Sequence, residues 1–438
     1  MTSYWAAHAL LPGGVASAVR FEIADGRFTS VRADQPQGDA HLLPGIVLPG
    51  LANCHSHAFH RALRGRTHAG GGTFWTWREG MYAVAAQLDP DSYLRLARAT
   101  YAEMVLAGIT GVGEFHYVHH QPGGRPYVDP NAMGEALRQG AHEAGIRLTL
   151  LDTCYLAGGL AADGHTQLSQ EQLRFGDRGA DGWVARVSAL REDDTTRIGA
   201  AIHSVRAVPR DAIPTVVAAN GGRPLHVHLS EQLAENEACS AHYGVSPTRL
   251  LHDGGALGTN TSAVHATYLS PDDIALLGSS GTTACFCPTT ERDLADGMGP
   301  ARALQDAGAP LSLGSDQHAV IDLFEELRGL EMHERLTSGE RGRFSPAALV
   351  HAATAHASIG WNDVGSLATG QRADLVAIRT SSPRTAGSKP AQIHYAATAA
   401  DVHTVVRDGD VIVDDGHHRL GDVGAMLADA IEPFWENA

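Results

Sequence analysis

Short apolar runs alternate with stretches of helical periodicity through the middle of the chain, and that alternation predicts βα units feeding a parallel sheet. Eight such runs stand out, at residues 45–51, 109–115, 146–152, 197–203, 224–229, 262–266, 282–286 and 310–314. Asp89-Pro90 opens a helix that Gly108 closes, Asp129-Pro130 opens another closed by Gly145, and a third follows Ser345-Pro346. Each start pairs a side chain that caps free backbone N–H groups with a proline suited to the first turn. Eight strands with intervening helices over about 320 residues predict an α/β fold, a (β/α)8 TIM-like barrel at 49–364 whose chemistry sits at the C-terminal strand ends.

The two ends read differently. Residues 1–48 hold short β pieces around Phe21 and Phe28 separated by Asp and Gly turns, and residues 365–438 return to the same pattern through Leu375 and Val405. Together they predict one small β-sandwich domain built from both termini. No internal repeat is visible.

Composition narrows the functional classes. The chain has 438 residues, 43% hydrophobic and 19% charged, which is enough for a large core and too apolar for disorder. A net charge of −16 without any basic block argues against a nucleic-acid surface or a polybasic membrane patch. No apolar stretch approaches the roughly 18 residues a spanning helix needs, and residues 1–14 lack a cationic leader, so a cytoplasmic protein is expected. Cys54, Cys154, Cys239, Cys285 and Cys287 form no C-x-x-C pair, in keeping with reduced thiols. Lys389 is the only lysine, which removes Schiff-base, P-loop and carbamylated-lysine chemistry from the barrel. Gly70-Gly71-Gly72 lacks the strand-to-helix setting of a phosphate loop and reads as flexibility alone.

What remains is a set of histidines and acids at the proposed strand ends. His55-Ser56-His57 follows the first run, and the H-x-H spacing places both imidazoles on one side of an extended chain. His226, His228 and Glu231 mark the end of the fifth run, His265 the sixth, and Asp316 the eighth. His55, His57, His228 and Asp316 form a nitrogen and oxygen set suited to one Zn²⁺, with Fe²⁺ as the alternative. Such a site leaves a position for water and lowers its pKa to about 7. Glu231, three residues past His228, is then the natural general base, although a first-turn helix position would also suit it. His265 is placed to polarise the group under attack, and Asp316 to accept a proton as well as bind the metal. His226 shares a strand face with His228 and competes for the ligand role; the spacing to Glu231 favours His228. Cys285 and Cys287 read as packing residues, and residues 287–293 as the loop after strand seven.

At these residues the chain resembles the amidohydrolase superfamily, and specifically its deaminase branch. The matching stretches are His55-Ser56-His57-Ala58-Phe59, Phe74-Trp75-Thr76-Trp77-Arg78, the run from Glu114 to His120, His203-Ser204-Val205-Arg206, and His228 to Glu231. They are most similar to the formimidoylglutamate deiminase family. The resemblance implies hydrolysis of N-formimino-L-glutamate to N-formyl-L-glutamate and ammonia, with another formimino amino acid or an aromatic base as alternatives. It further implies that His60, Arg78, Tyr117, His203 and Arg206 surround a small dianionic substrate derived from an amino acid, and that the chain forms a homodimer. Arginine is the cation that grips a carboxylate with two parallel donors, which agrees with this assignment. One departure is His60, where the family often has glutamine, changing a pocket contact from amide to imidazole.

Overall fold

The computed structural model describes residues 2–68 and 74–436, so Gly70-Gly71-Gly72 lies outside the described residues. Strands β1 (Thr2–Leu11), β2 (Gly14–Ala24), β3 (Arg27–Arg32) and β4 (His41–Pro49) come from the N-terminal end of the chain. They join β15 (Leu375–Ile378), β16 (Val402–Arg407), β17 (Asp410–Asp414) and β18 (His417–His418) in one sheet ordered β18-β17-β16-β15-β4-β1-β2-β3. Alternation of buried and partly exposed positions along β2 gives that sheet its own apolar cluster around Phe21, Phe28, Val47 and Leu375.

The second eight-stranded sheet is parallel throughout. It runs in chain order through β5 (Leu51–Ser56), β6 (Ile109–His116), β7 (Arg147–Cys154), β10 (Thr196–Ile202), β11 (Leu225–Leu229), β12 (Thr261–His265), β13 (Thr283–Phe286) and β14 (Leu311–Leu313). A hairpin, β8 (Gly159–Ala161) and β9 (Gly164–Thr166), follows β7. The barrel closes between its first and last strands at their C-terminal ends. Ser315 and Asp316 donate backbone N–H groups to His55 O at 3.1 and 3.0 Å, and His57 N donates to Asp316 O at 3.1 Å. Gly314 permits this approach, since a Cβ there would lie 2.7 Å from His55 Cβ. The fold is the (β/α)8 barrel, and its first and last strands meet where the histidines are.

Two boundaries differ from the sequence reading. The apolar run 45–51 is not the first barrel strand: it spans the end of β4, which pairs with β1 and β15, and the start of β5, which pairs with β6. Both segments are largely buried, so hydrophobicity continues across the break at Gly50. The helix expected from Asp129-Pro130 begins two residues later, at Ala132–Ala144, because Asp129 folds back to accept from Asn131 N at 2.9 Å. The helix Pro90–Leu106 starts as expected, with Asp89 and Ser92 in a reciprocal cap. Among the described residues no helix is long and apolar enough to cross a membrane.

Candidate active site

The strand ends of the barrel bring the anticipated histidines together. His55 Nε2 lies 3.1 Å from His228 Nε2 and 3.3 Å from Asp316 Oδ1, and His57 Nε2 lies 3.4 Å from the same oxygen. The candidate ligand atoms form two overlapping groups, His55 with His57 and Asp316, and His55 with His228 and His265. His226 sits one layer deeper on β11, where its Nε2 contacts Ser358 O at 3.4 Å, and His228 is the residue that reaches the cluster.

The imidazole orientations show what the cluster is built to hold. His57 Nδ1 donates to Phe115 O at 2.9 Å and His228 Nδ1 donates to His203 O at 3.0 Å. Burial, with neighbouring imidazoles adding to it, holds both rings far below the usual histidine pKa, at about 3 for His57. Neutral rings whose Nδ1 is the donor present a bare lone pair at Nε2. His57 Nε2 therefore faces the Asp316 carboxylate as acceptor against acceptor, an arrangement that a cation between them satisfies. The residues fit a divalent metal with mixed nitrogen and oxygen ligands, with the His57 and His228 rings fixed from behind by backbone carbonyls.

A buried polar chain ties the ligand segments to one another. Glu114 accepts from Ser56 Oγ and from Ala58 N, both at 2.6 Å, and burial pushes its pKa up to about 7. Ser56 Oγ also contacts His318 Nε2 at 3.2 Å, His318 Nδ1 meets Ser315 Oγ at 2.9 Å, and Asn53 donates to Ser315 Oγ at 2.7 Å. These residues join β5 to the loop after β14, across the seam that carries His55, His57 and Asp316.

Glu231 is 7% exposed at the pocket wall, with Oε1 4.0 Å from His265 Nε2 and Oε2 accepting from Arg206 Nη2 at 3.0 Å. Burial alone would lower the His265 pKa. Glu291, whose Oε1 stands 3.5 Å from Nδ1, together with Glu231 and Asp316 outweighs burial and pushes it up to about 10. Arg206 also places its Nε 2.9 Å from Glu235 Oε2, so this arginine spans two carboxylates.

One pocket collects the other anticipated residues. His57, His228, His265 and Asp316 form its floor, and His60, Arg78, Tyr117, His203, Arg206 and Glu231 line its walls. His60 Nε2 and Tyr117 Oη meet at 2.9 Å, and Arg78 Nε donates to Tyr82 Oη at 2.9 Å. Cys54, Cys285 and Cys287 pack among Val264, Ile359 and Trp361, and none belongs to a metal-capable group among the described residues. Residues 288–293 form a short helix rather than the expected loop, because Glu291 folds back to accept from Cys287 N at 2.8 Å.

Four acidic residues were not anticipated: Glu114, Glu235, Glu291 and Asp296. Burial and then Glu231 raise the Asp296 pKa to about 8. Glu114 and Glu291 lie in stretches that the sequence marks, and Glu235 follows Glu231 by four residues, inside the helix Leu233–Tyr243; nothing local marks Asp296. A second histidine and acid group, His116, His119 and Asp152, is a packed network. Asp152 accepts from Arg186 at 2.6 and 2.8 Å and from Trp183 at 3.0 Å, and His119 Nε2 donates to Thr153 O at 2.9 Å.

Comparison with known proteins agrees with this geometry. Residues 46–412 match the amidohydrolase family, and residues 1–40 match the domain described as formimidoylglutamate deiminase HutF, N-terminal domain. The chain is 38% identical to the formimidoylglutamate deiminase of Pseudomonas aeruginosa over 95% of its own length and 96% of the relative's. The crystal structure of an amidohydrolase from Brucella melitensis superposes with a TM-score of 0.92 at 30% identity, covering 99% of this chain and 100% of the other. An adenosine deaminase from Xanthomonas campestris with bound zinc shares the fold, with a TM-score of 0.83 at 23% identity over 98% and 97% of the two chains.

Proposed function

The chain belongs to the amidohydrolase family, and from that membership and the geometry of its site we propose that it hydrolyses N-formimino-L-glutamate to N-formyl-L-glutamate and ammonia. The observation that carries this reading is the meeting, in one pocket, of a metal-capable floor with two wall arginines, Arg78 and Arg206. A dianionic substrate gives up strong hydration on entry and needs such fixed donors. A neutral ring has no use for them.

His55, His57, His228 and Asp316 would hold one divalent cation, for which we propose Zn²⁺, with Fe²⁺ as the alternative that this donor set also accepts. Bound there, the cation supplies Lewis acidity, which makes water a better proton donor at neutral pH. Glu231 takes one proton from water as its oxygen adds to the formimino carbon and passes it to the terminal nitrogen; the remaining hydroxyl proton, accepted by Asp316, reaches the same nitrogen as C=O forms and the C–N bond breaks, so that ammonia leaves. His265, within 4.0 Å of Glu231 and 3.9 Å of Asp316, orients the attacked group between those carboxylates. His60, Tyr117 and His203 fill the pocket around the linear substrate.

The test is ammonia release from formiminoglutamate, formiminoaspartate and a panel of nucleobases, with elemental analysis of the same preparation. Preferential turnover of formiminoglutamate supports the reading. Turnover of a nucleobase with none of either formimino substrate overturns it.

A further inference from the structure

Arg206 stands between two carboxylates, and only one of them belongs to the proton-transfer machinery. Nη2 donates to Glu231 Oε2 at 3.0 Å, while Nε faces Glu235 Oε2 at 2.9 Å; Nη1 takes part in neither pair. Glu235 is 1% exposed, and among the described residues Arg206 is the cation paired with it. Its other oxygen accepts from Ser230 N at 3.0 Å, which fixes the carboxylate from behind. Glu235 thus pairs in charge with the arginine at the root of its fork, while Nη2 meets Glu231 at the wall of the pocket that both residues line.

This arrangement answers a problem raised by the pairing itself. An arginine bonded to the general base alone would have to abandon its only counter-charge in order to meet a substrate carboxylate, leaving a half-buried cation unpaired during the exchange. With Glu235 at Nε, the terminal nitrogens can pass from Glu231 to the substrate while the guanidinium stays neutralised. The geometry points to Glu235 as a positioning residue that holds Arg206 ready for a substrate carboxylate and lets substrate binding release Glu231 from its arginine contact. The inference rests on the proposed formimino substrate and deepens it: the free protein keeps its base occupied until a substrate bearing that carboxylate arrives.

A structural role for Glu235 is also available, because it lies in the first turn of the helix Leu233–Tyr243 and satisfies the Ser230 N–H. Glu235→Gln separates the two roles. The amide oxygen can still accept from Ser230, but the charge is gone and an N–H faces Arg206 Nε. KM for formiminoglutamate should rise at least about tenfold while kcat stays within about threefold, since a saturating substrate still draws the arginine away from Glu231. Metal content should match the wild type, because Glu235 belongs to neither metal-capable group at the site.

In an Arg206→Met background Glu235→Gln should change neither constant, because a residue acting through Arg206 has nothing left to position. That double variant also replaces the buried ion pair with two neutral side chains, so the comparison stands if Glu235→Gln alone fails to fold. An unchanged KM in Glu235→Gln, or a further loss in the double variant beyond Arg206→Met, overturns the inference while leaving the substrate assignment intact. Failure of the wild-type protein to turn over formiminoglutamate removes the substrate assignment, and the inference with it.

Discussion

Replacing Glu231 by glutamine tests the division between metal ligand and proton carrier. The carboxamide has almost the volume of the carboxylate and can direct its oxygen toward Arg206 Nη2, keeping the 3.0 Å contact. Its nitrogen then falls where Oε1 stood, 4.0 Å from His265 Nε2, and carries protons instead of accepting one. Glu231 belongs to neither of the metal-capable groups, so metal content should be unchanged. Loss of a positioned acid-base group costs about 10²–10⁴-fold in turnover. That corresponds to about 2.7–5.4 kcal/mol on the barrier. The fold should be preserved, because Arg206 keeps Glu235 as counter-ion. Ammonia release at saturating substrate gives the turnover, and elemental analysis of the same sample gives the metal. Turnover within threefold of wild type would refute the proton-carrier role, and loss of the metal would show that Glu231 is a ligand.

Other sites give independent tests. Protein purified with metal in excess should hold about one equivalent, as a mononuclear site requires, and His228→Ala should lose it through removal of a direct bond; two tightly held equivalents in the wild type would contradict the four-ligand assignment. Arg206→Met should lower kcat/KM for formiminoglutamate by about 10²-fold or more with metal retained, and lysine should restore only part of it because an ammonium lacks the fork; unimpaired turnover by the methionine variant would take Arg206 out of carboxylate binding. Arg147→Met removes the cation that joins β7 to the terminal sheet through Asp374 and Asp408, stranding a fully buried carboxylate at Asp374. Breaking such a pair costs about 3–5 kcal/mol, which against an unfolding entropy of about 0.9 kcal/mol/K for a chain of this length lowers Tm by about 3–5 °C; an unchanged midpoint by calorimetry would refute it.

The parts of the fold legible in the sequence are those with local causes. The helix from Pro90 can be read directly because Asp89 and Ser92 cap each other within four residues. The pairing of His55 and His57 as candidate ligands is legible because a strand repeats every two residues. Where the cause is distant, the sequence is silent. The end of β4 and the start of β5 belong to different sheets, yet nothing but Gly50 separates two apolar segments, so the run reads as a single strand. Glu114 supports the H-x-H segment from a neighbouring strand, 56 residues from Ala58. Arg206 was expected to await a carboxylate, but its pairing with Glu231 and Glu235 is set by the fold around β11.

Backbone conformation makes the same distinction more sharply. Twelve non-glycine residues among those described have positive φ. Asp25, Asp408 and Asp415 each precede a glycine and form tight turns in the terminal sheet, a pattern any reader of Asp-Gly pairs can anticipate. Ser230, His265, Ala266, Asp316 and His318 are different: they stand at or just beyond the C-terminal ends of β11, β12 and β14, around the metal-capable cluster. Holding a non-glycine residue there costs of order 1–3 kcal/mol, and glycine would remove most of that cost. Glycine cannot replace His265 or Asp316, whose side chains face the site. Neighbouring groups hold the conformation instead: Ser230 N donates to the Glu235 side-chain carboxylate, Ala266 N to Leu229 O at 3.0 Å, Asp316 N to His55 O at 3.0 Å, and His318 N to Ser315 O at 2.7 Å. The Ser230 and His318 bonds are local, but Ala266 is held from β11 and Asp316 from β5, so the restraint on Asp316 exists only once the barrel has closed, and its place in the site is a property of that closure.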